Sequence, residues 1–510
     1  MTDWQGAIVR EAEKLVVRWE TYARRLAEEA SRRKRRTTGQ PPRLVAHRPS
    51  YWSVDRGFDP YLVRSSADRI AHSIQRAIRG RNYCPRNPLL YSVPKADGSS
   101  RNVSVFQVAD SAISGIVFRS LNEKNASRLS SRAYAYRPHV SAQDAIQFVT
   151  SDMRTTGRFF VAEYDFSKYF ENISHEYLWK QIRDREISMT DAERSVISAF
   201  LTAPAVAEQG YRPVGGGLRQ RGVPQGTSAS LFLANVAACE LDRALERLGV
   251  SFVRYADDTL IWSTDYEQIC RASDAMFDIS SRLGVPINLK KSQGIRILGP
   301  DGHPAEMAHT NSVEFLGHRI GLHRTSIRDS VVARFKTRIN KLIYFNLLRE
   351  PLRGTQSLAR LGSVDRDYVT FTWQVRRYIY GDISERSLRK FEKRGVPRRR
   401  FRGFMAYFPL VDDDEQLRSL DRWMGCQIRL ALRKRGRLLT KGSTNQLPPP
   451  HGLPTNLAEY TRKSRSTGGT LDLRLPSMLR VGLVIRTAAK RYGSAVVGRS
   501  PKYSYGSPER

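Results

Sequence analysis

The chain has 510 residues, of which 40% are hydrophobic and 10% aromatic, which excludes a disordered polymer and leaves room for more than one core. Its formal net charge of +35 exceeds what solubility needs and points to a polyanionic partner, because Lys and Arg paired with phosphates release condensed counterions. The four cysteines, Cys84, Cys239, Cys270 and Cys426, have no CxxC spacing. With no run of about 18 apolar residues and no signal-peptide pattern, they lead to the expectation of a zinc-free, cytoplasmic protein away from the membrane.

In chain order, residues 3–35 read as a charged amphipathic helix, with Ile8, Leu15, Val16, Trp19, Tyr22 and Leu26 near helical spacing. The run Arg32 to Arg36 at its end reads equally as a solvated helix terminus or a phosphate patch, and Thr37 to Pro42 breaks the helix. Leu89 to Val105 reads as a hairpin turning at Ala96-Asp97-Gly98-Ser99. Phe159 to Asp165 reads as a strand, and Thr227 to Leu248 as a helix with Ser/Thr capping and Gly249 at its end. Phe252 to Tyr255 and Thr259 to Trp262 read as two strands around a tight turn. Residues 331–440 are helical and basic, notably from Arg386 to Arg402 and Arg433 to Arg437. Pro448 to Pro450 marks a loop, and a last helix runs from Pro476 to Tyr492, with Pro476 suited to its first turn.

Polynucleotide synthesis is an in-line attack of a 3′ hydroxyl on an α-phosphate, which two metal ions about 3.5–4 Å apart can promote. Hard Mg²⁺ ions take carboxylate oxygens, usually only a few from protein. Asp165 ends an apolar strand, whereas Asp257 and Asp258 fall between two apolar strands. A turn there lets the first carboxylate meet Asp165 and leaves the second alongside. An Asp-Asp hairpin turn is common by itself, so the surrounding sequence has to decide.

That sequence resembles reverse transcriptases, in the branch holding group II intron, retron and bacterial defence-associated enzymes, over roughly residues 85–325. Val93-Pro94-Lys95-Ala96-Asp97-Gly98-Ser99-Ser100-Arg101 is similar to the fingers hairpin, and Ala133-Tyr134-Ala135-Tyr136-Arg137-Pro138 to the segment after it. Tyr164-Asp165-Phe166-Ser167-Lys168-Tyr169-Phe170 resembles the first catalytic motif, and Tyr255-Ala256-Asp257-Asp258 the second. Between them lies Gly222-Val223-Pro224-Gln225-Gly226-Thr227, similar to the family's PQG block. Asn288 to Ser292 and Glu314-Phe315-Leu316-Gly317 resemble the following motif and the primer grip.

The resemblance implies an α+β right-hand polymerase fold of fingers, palm and thumb, with an antiparallel palm sheet, a helical N-terminal extension and a basic helical C-terminal region. The expected divisions are residues 1–60 for the extension, 61–325 for fingers and palm, 326–445 for a thumb-like region and 446–510 for a tail with one helix. It implies Asp165, Asp257 and Asp258 as ligands of two Mg²⁺ ions, with Mn²⁺ as a substitute. Lys95 and Arg101 would hold the incoming triphosphate, aided by the backbone amides of Phe166, Ser167, Lys168 and Tyr169. Phe170 takes the position of the steric gate against a 2′ hydroxyl. Gln225 and Gly226 would lie under the nascent base pair. Lys291, with Lys290 as its rival, would protonate the leaving pyrophosphate.

The implied activity is RNA-directed DNA synthesis from deoxynucleoside triphosphates on a structured non-coding RNA, giving a DNA product. Val396 to Asp414, Leu417 to Leu438 and Arg474 to Tyr505 resemble bacterial defence-associated members, which implies an antiphage role in the bacterial cytoplasm, with homo-oligomers open. The alternatives are an intron-type maturase, which has no need of the acidic triad, and an RNA-dependent RNA polymerase, which Phe170 disfavours. Tyr378, Tyr380, Trp373 and Trp423 read as base-stacking or core residues. Asp412 to Asp414 read as a helix N-terminal acid run in preference to a metal site. Tyr503-Ser504-Tyr505 is a candidate protein primer, with an unstructured end as the simpler reading.

Overall fold

The computed structural model describes the chain except residues 1–2, 42, 96–97, 99, 155–156, 214–216, 301–305, 382, 384, 395–400, 441–445, 452–460, 464–469 and 494–510. The Tyr503 primer, most of the hairpin tip and the Gly215-Gly216 pair thus lie outside the described residues, as does the stretch Val396 to Arg400.

Helix α1 (Trp4–Arg36) starts at Asp3, whose carboxylate accepts the Gly6 N–H at 2.7 Å. Its 33 residues give it a length of about 50 Å. Ala7, Ile8, Ala12 and Val16 form the buried stripe, which packs on α2 (Pro60–Ser65), α3 (Ala67–Arg79) and, further along the chain, on residues 108–124. The far end of α1 reaches the C-terminal helices. There Arg36 is 2% exposed and donates to Asn346 Oδ1 at 2.7 Å and to the Phe345 carbonyl at 3.1 Å. Arg32 and Arg33 pair with Glu28 and Glu29 one turn back. Within the basic run Lys34 and Arg35 stay exposed, whereas Arg36 is buried as a structural joint.

Strands β1 (Leu89–Pro94) and β2 (Ser100–Val105) form the expected antiparallel hairpin, with Val93 opposite Arg101. Helices α4 (Val108–Lys124) and α5 (Ala142–Met153) lead to β3 (Phe159–Tyr164). The short α6 (Tyr169–Asn172), α7 (His175–Asp184) and α8 (Asp191–Thr202) follow. The long helix expected from Thr227 is two, α9 (Ser228–Ala237) and α10 (Cys239–Leu248). At their junction the Ala238 N–H turns back to the Asn235 carbonyl, three residues away instead of four. Thr227 caps the first helix through the Ser230 N–H, and Gly249 ends the second at φ 73°.

Strands β4 (Ser251–Tyr255), β5 (Asp258–Ser263), β6 (Arg296–Leu298) and β7 (His309–Thr310) complete a five-stranded sheet in the order β4-β5-β3-β6-β7. It is antiparallel throughout except at its edge, where β6 and β7 run parallel. Both faces are covered, which is why β3 reads as a nearly continuous apolar run. One core, with Ala162, Tyr164, Phe252 and Ile261, packs under α9 and α11 (Tyr266–Leu283); the other, with Val161, Val253, Leu260 and Trp262, packs under α5. This second face also meets a small antiparallel sheet of β8 (Val313–Phe315), β9 (His318–Ile320) and β10 (Thr325–Ile327).

The remaining helices are α12 (Asp329–Ile343), α13 (Arg349–Leu352), α14 (Arg366–Tyr380), α15 (Glu385–Arg394), α16 (Asp414–Leu439) and α17 (Met478–Tyr492). One core joins them, running from Ile327 to Ala488. Tyr380 is buried in it and Tyr378 stacks on Phe335, whereas Trp373 is half-exposed beneath Arg32 and Arg377. Arg435, from the basic run on α16, is fully buried and forks onto Asp365 at 2.7 and 3.2 Å. Asp413 caps α16, and Asp412 pairs with Arg154 at 2.7 Å, so the acid run serves the helix start. Pro476 lies outside the last helix. Ser477 is the cap there, and Asp421 accepts the N–H groups of Met478 and Leu479. Among the described residues no helix is long and apolar enough to cross a membrane.

Candidate active site

The sheet brings together the end of β3 and the β4–β5 turn. Tyr164 lies opposite Thr259 and Tyr255 opposite Asp258, so Asp165 and the Ala256-Asp257 loop leave the same edge. Asp258 is not in the turn but is the first residue of β5. Ala256 takes φ 63°, a left-handed conformation uncommon outside glycine.

Asp165 is held by the segment after α11. Its carbonyl accepts the Asn288 N–H at 2.7 Å and its Oδ2 accepts Asn288 Nδ2 at 3.2 Å. Its own N–H donates to Ser292 Oγ at 3.2 Å. Lys291 places Nζ 3.6 Å from Asp165 Oδ2, so Lys291, and not its rival Lys290, has the carboxylate contact. Burial pushes the Asp257 carboxyl above the ordinary carboxylate range. The charge of Asp165 adds to this, and Arg101 and Lys291 oppose it.

Asp258 is pushed up to about 8, first by burial and then by Asp257, Glu163 and Asp165, with Arg328 opposing. Glu163 shares its sheet face with Asp258, because side chains two residues apart along a strand point the same way and Glu163 pairs with Leu260. Asp258 thus leans toward the β8–β9 side, where Arg296 holds Glu163 at 2.7 Å and Arg328 holds Glu314 at 2.6 Å.

Among the described residues no three His, Cys, Asp or Glu side chains form a closed metal cage. The donor set still fits a hard divalent cation, since such ions use one or two carboxylates and complete their shell with water and phosphate oxygens. The raised carboxyls of Asp257 and Asp258 point the same way, because an added cation would offset both the burial and the neighbouring negative charges that disfavour their ionised forms.

The other candidate residues surround this edge. Arg101, on β2, acts electrostatically on Asp257, whereas Lys95 stands exposed at the hairpin tip. Phe166 is bridged to Ile287, and the Ser167 N–H is already used by the Pro286 carbonyl at 2.8 Å, which leaves it unavailable to a phosphate. Lys168 turns left-handed at φ 49° and caps the short α6. Tyr169 is buried and donates to the Ala234 carbonyl at 2.7 Å. Phe170 is 8% exposed and meets Tyr136 edge-on at 6.3 Å. The PQG block ties both lobes together: the Gln225 carbonyl accepts the Ser104 N–H of β2, and the Val223 N–H donates to the Phe170 carbonyl at 2.7 Å.

Two residues that the sequence reading did not single out complete the site. Arg254 sits in the apolar run Phe252-Val253-Arg254-Tyr255 and Asp242 on the buried side of α10, and they form a fully buried ion pair. A lone charge inside a strand with apolar neighbours was the signal for it, since a charge there needs a partner.

The five-stranded sheet among helices makes a mixed helix-and-sheet fold with a palm-like sheet. Residues 93–320 match the family model described as "Reverse transcriptase (RNA-dependent DNA polymerase)". It is similar to Protein YkfC of Escherichia coli (strain K12), with 29% identity over 158 residues, 30% of this chain and 39% of that protein. Solved structures similar to it include apo telomerase from Candida tropicalis truncated from the C-terminal domain (14% identity, 50% of this chain and 59% of that one, TM-score 0.38). Another is telomerase from Candida albicans in complex with a fragment of telomeric RNA (12% identity, 74% and 66%, TM-score 0.39). The chain thus spans well under half of the curated relative it matches.

Proposed function

We propose that the protein is an RNA-directed DNA polymerase that copies an associated non-coding RNA with deoxynucleoside triphosphates, and that it serves antiphage defence. The observation that carries this reading is the meeting of Asp165 and Asp257 at one sheet edge, with Lys291 3.6 Å from Asp165 and Arg101 acting on Asp257.

In this reading Asp165 and Asp257 hold the cations and Asp258 supports the second. Mg²⁺ fits this oxygen donor set, with Mn²⁺ able to substitute. Two bound ions would activate the primer 3′ hydroxyl and stabilise the charge on the leaving pyrophosphate. Arg101 and Lys95 draw the triphosphate under the hairpin, and Lys291 carries a proton at Nζ that the pyrophosphate can take. The remaining amides of Phe166, Lys168 and Tyr169 would face phosphate oxygens in this reading. The Phe170 ring closes the space a ribose 2′ hydroxyl needs, and Gln225 with Gly226 lies beneath the new base pair. The excess of Lys and Arg suits an RNA template. Defence rests on the likeness of the C-terminal segments to defence-associated members.

Sequencing the RNA and DNA that copurify with the protein tests this. The reading requires DNA complementary to one abundant RNA; recovery of RNA alone, with no complementary DNA during growth or phage challenge, would count against it.

A further inference from the structure

Arg254 and Asp242 lie 12 residues apart, each 1% exposed, and are joined by a two-pronged contact of 2.7 and 2.6 Å. The fork does more than neutralise a charge. Arg254 Nη1 also donates to the Ala256 carbonyl at 3.0 Å and to Asn235 Oδ1 at 3.2 Å, while Asn235 Nδ2 donates to the Ala135 carbonyl at 2.8 Å. The Arg254 backbone is fixed as well, through the Tyr134 N–H and the Arg132 carbonyl. One guanidinium thus joins the helix after the PQG block, the 132–135 segment and the Ala256-Asp257 turn.

We infer that Arg254, anchored by Asp242, is a positioning residue that sets the Asp257 carboxylate. This rests on the reading of Asp257 as a cation ligand. The Ala256 carbonyl belongs to the planar peptide whose other end is the Asp257 N–H, so fixing that oxygen fixes the plane from which Asp257 departs. Ala256 is at φ 63°, a conformation a non-glycine residue keeps only when its surroundings impose it. Arg254 supplies that imposition from below the sheet. A lysine cannot replace it, because a single ammonium cannot fork onto Asp242 and reach Ala256 together.

The test compares full-length Arg254→Lys and Asp242→Glu with the parent chain, by Mn²⁺ titration followed by electron paramagnetic resonance and by single-nucleotide incorporation. Arg254→Lys should raise the half-saturating Mn²⁺ concentration at least fivefold and lower kcat at least thirtyfold, with the KM for deoxynucleotide within about twofold. Asp242→Glu keeps the buried charge and should show the same split to a smaller degree. The double variant should be no worse than Arg254→Lys, since the two residues act as one unit. Unchanged Mn²⁺ binding in both single variants, whether or not stability falls, overturns the inference and leaves the pair as packing. Asp257→Asn measured alongside keeps the two questions apart: if it binds Mn²⁺ and incorporates nucleotide like the parent, the reading of the site fails whatever Arg254 does.

Discussion

Asn288 holds Asp165 at both ends, its N–H on the aspartate carbonyl at 2.7 Å and its side-chain amide on Oδ2 at 3.2 Å. The second bond helps to aim a carboxylate whose other side-chain contact is the looser one to Lys291 Nζ at 3.6 Å. Asn288→Ala should leave the backbone bond and remove the aim. We expect kcat for nucleotide incorporation to fall about tenfold, the cost of one hydrogen bond to a charged group, with little change in melting temperature. Steady-state kinetics with a circular dichroism melt decides between this and a purely structural role, which would lower both.

Phe170 is tied at its carbonyl to Val223 and at its ring to Tyr136 and Tyr169. A ring held between two aromatic neighbours, on a backbone that is itself tied down, cannot easily swing away from a 2′ hydroxyl. Phe170→Ala should therefore cut discrimination between deoxy- and ribonucleotides by at least tenfold, measured as the ratio of kcat/KM values. Discrimination equal to that of the parent chain would reduce Phe170 to a core aromatic.

Much of this was legible in the sequence because motif residues are local. The hairpin, the strand ending at Asp165 and the helix opening at Thr227 each follow from a short pattern of apolar spacing and capping. What stayed hidden depends on partners far along the chain. Nothing local tells that Arg36 is buried against Asn346, 310 residues away, because its neighbours Arg32 and Arg33 pair within the helix as a surface run does. Arg254 stood out only as a lone charge in an apolar strand, with no sign of its partner, and Arg435 lay unmarked in a basic run, until Asp242 and Asp365 stood beside them. The break at Ala238 escaped because both flanking segments have helical composition and no Gly or Pro marks the joint.

Gly226 takes φ 140°, and a Cβ there would meet the Ser104 carbonyl oxygen at 2.0 Å. That oxygen is backbone and cannot step aside without opening the contact between the PQG block and the hairpin. Gly226→Ala should cost about 1–3 kcal/mol in stability and weaken nucleotide binding more than it slows chemistry. A rise in KM for deoxynucleotide of several-fold, alongside a lower melting temperature, is the expected result.

His318 is buried between the Leu316 carbonyl, 3.0 Å from Nδ1, and the rings of Phe408 and Tyr407. Burial pushes it down to about 4. The unfolded chain then binds more protons than the folded one between pH 4 and 6.5, so stability rises with pH across that window and is lost as pH falls. The lowering corresponds to about 3 kcal/mol. His318→Gln should flatten this dependence between pH 4.5 and 7, seen as a smaller change in melting temperature than in the parent chain.

In the proposed function Asp165 and Asp257 form the centre of a polymerase that copies RNA into DNA. The decisive measurement is primer extension on an RNA template with deoxynucleotides and Mg²⁺, run with the parent chain and with Asp257→Asn. We expect full-length DNA from the parent and a rate at least a thousandfold lower from a variant with the same circular dichroism spectrum. Extension by Asp257→Asn at the parent rate would contradict it.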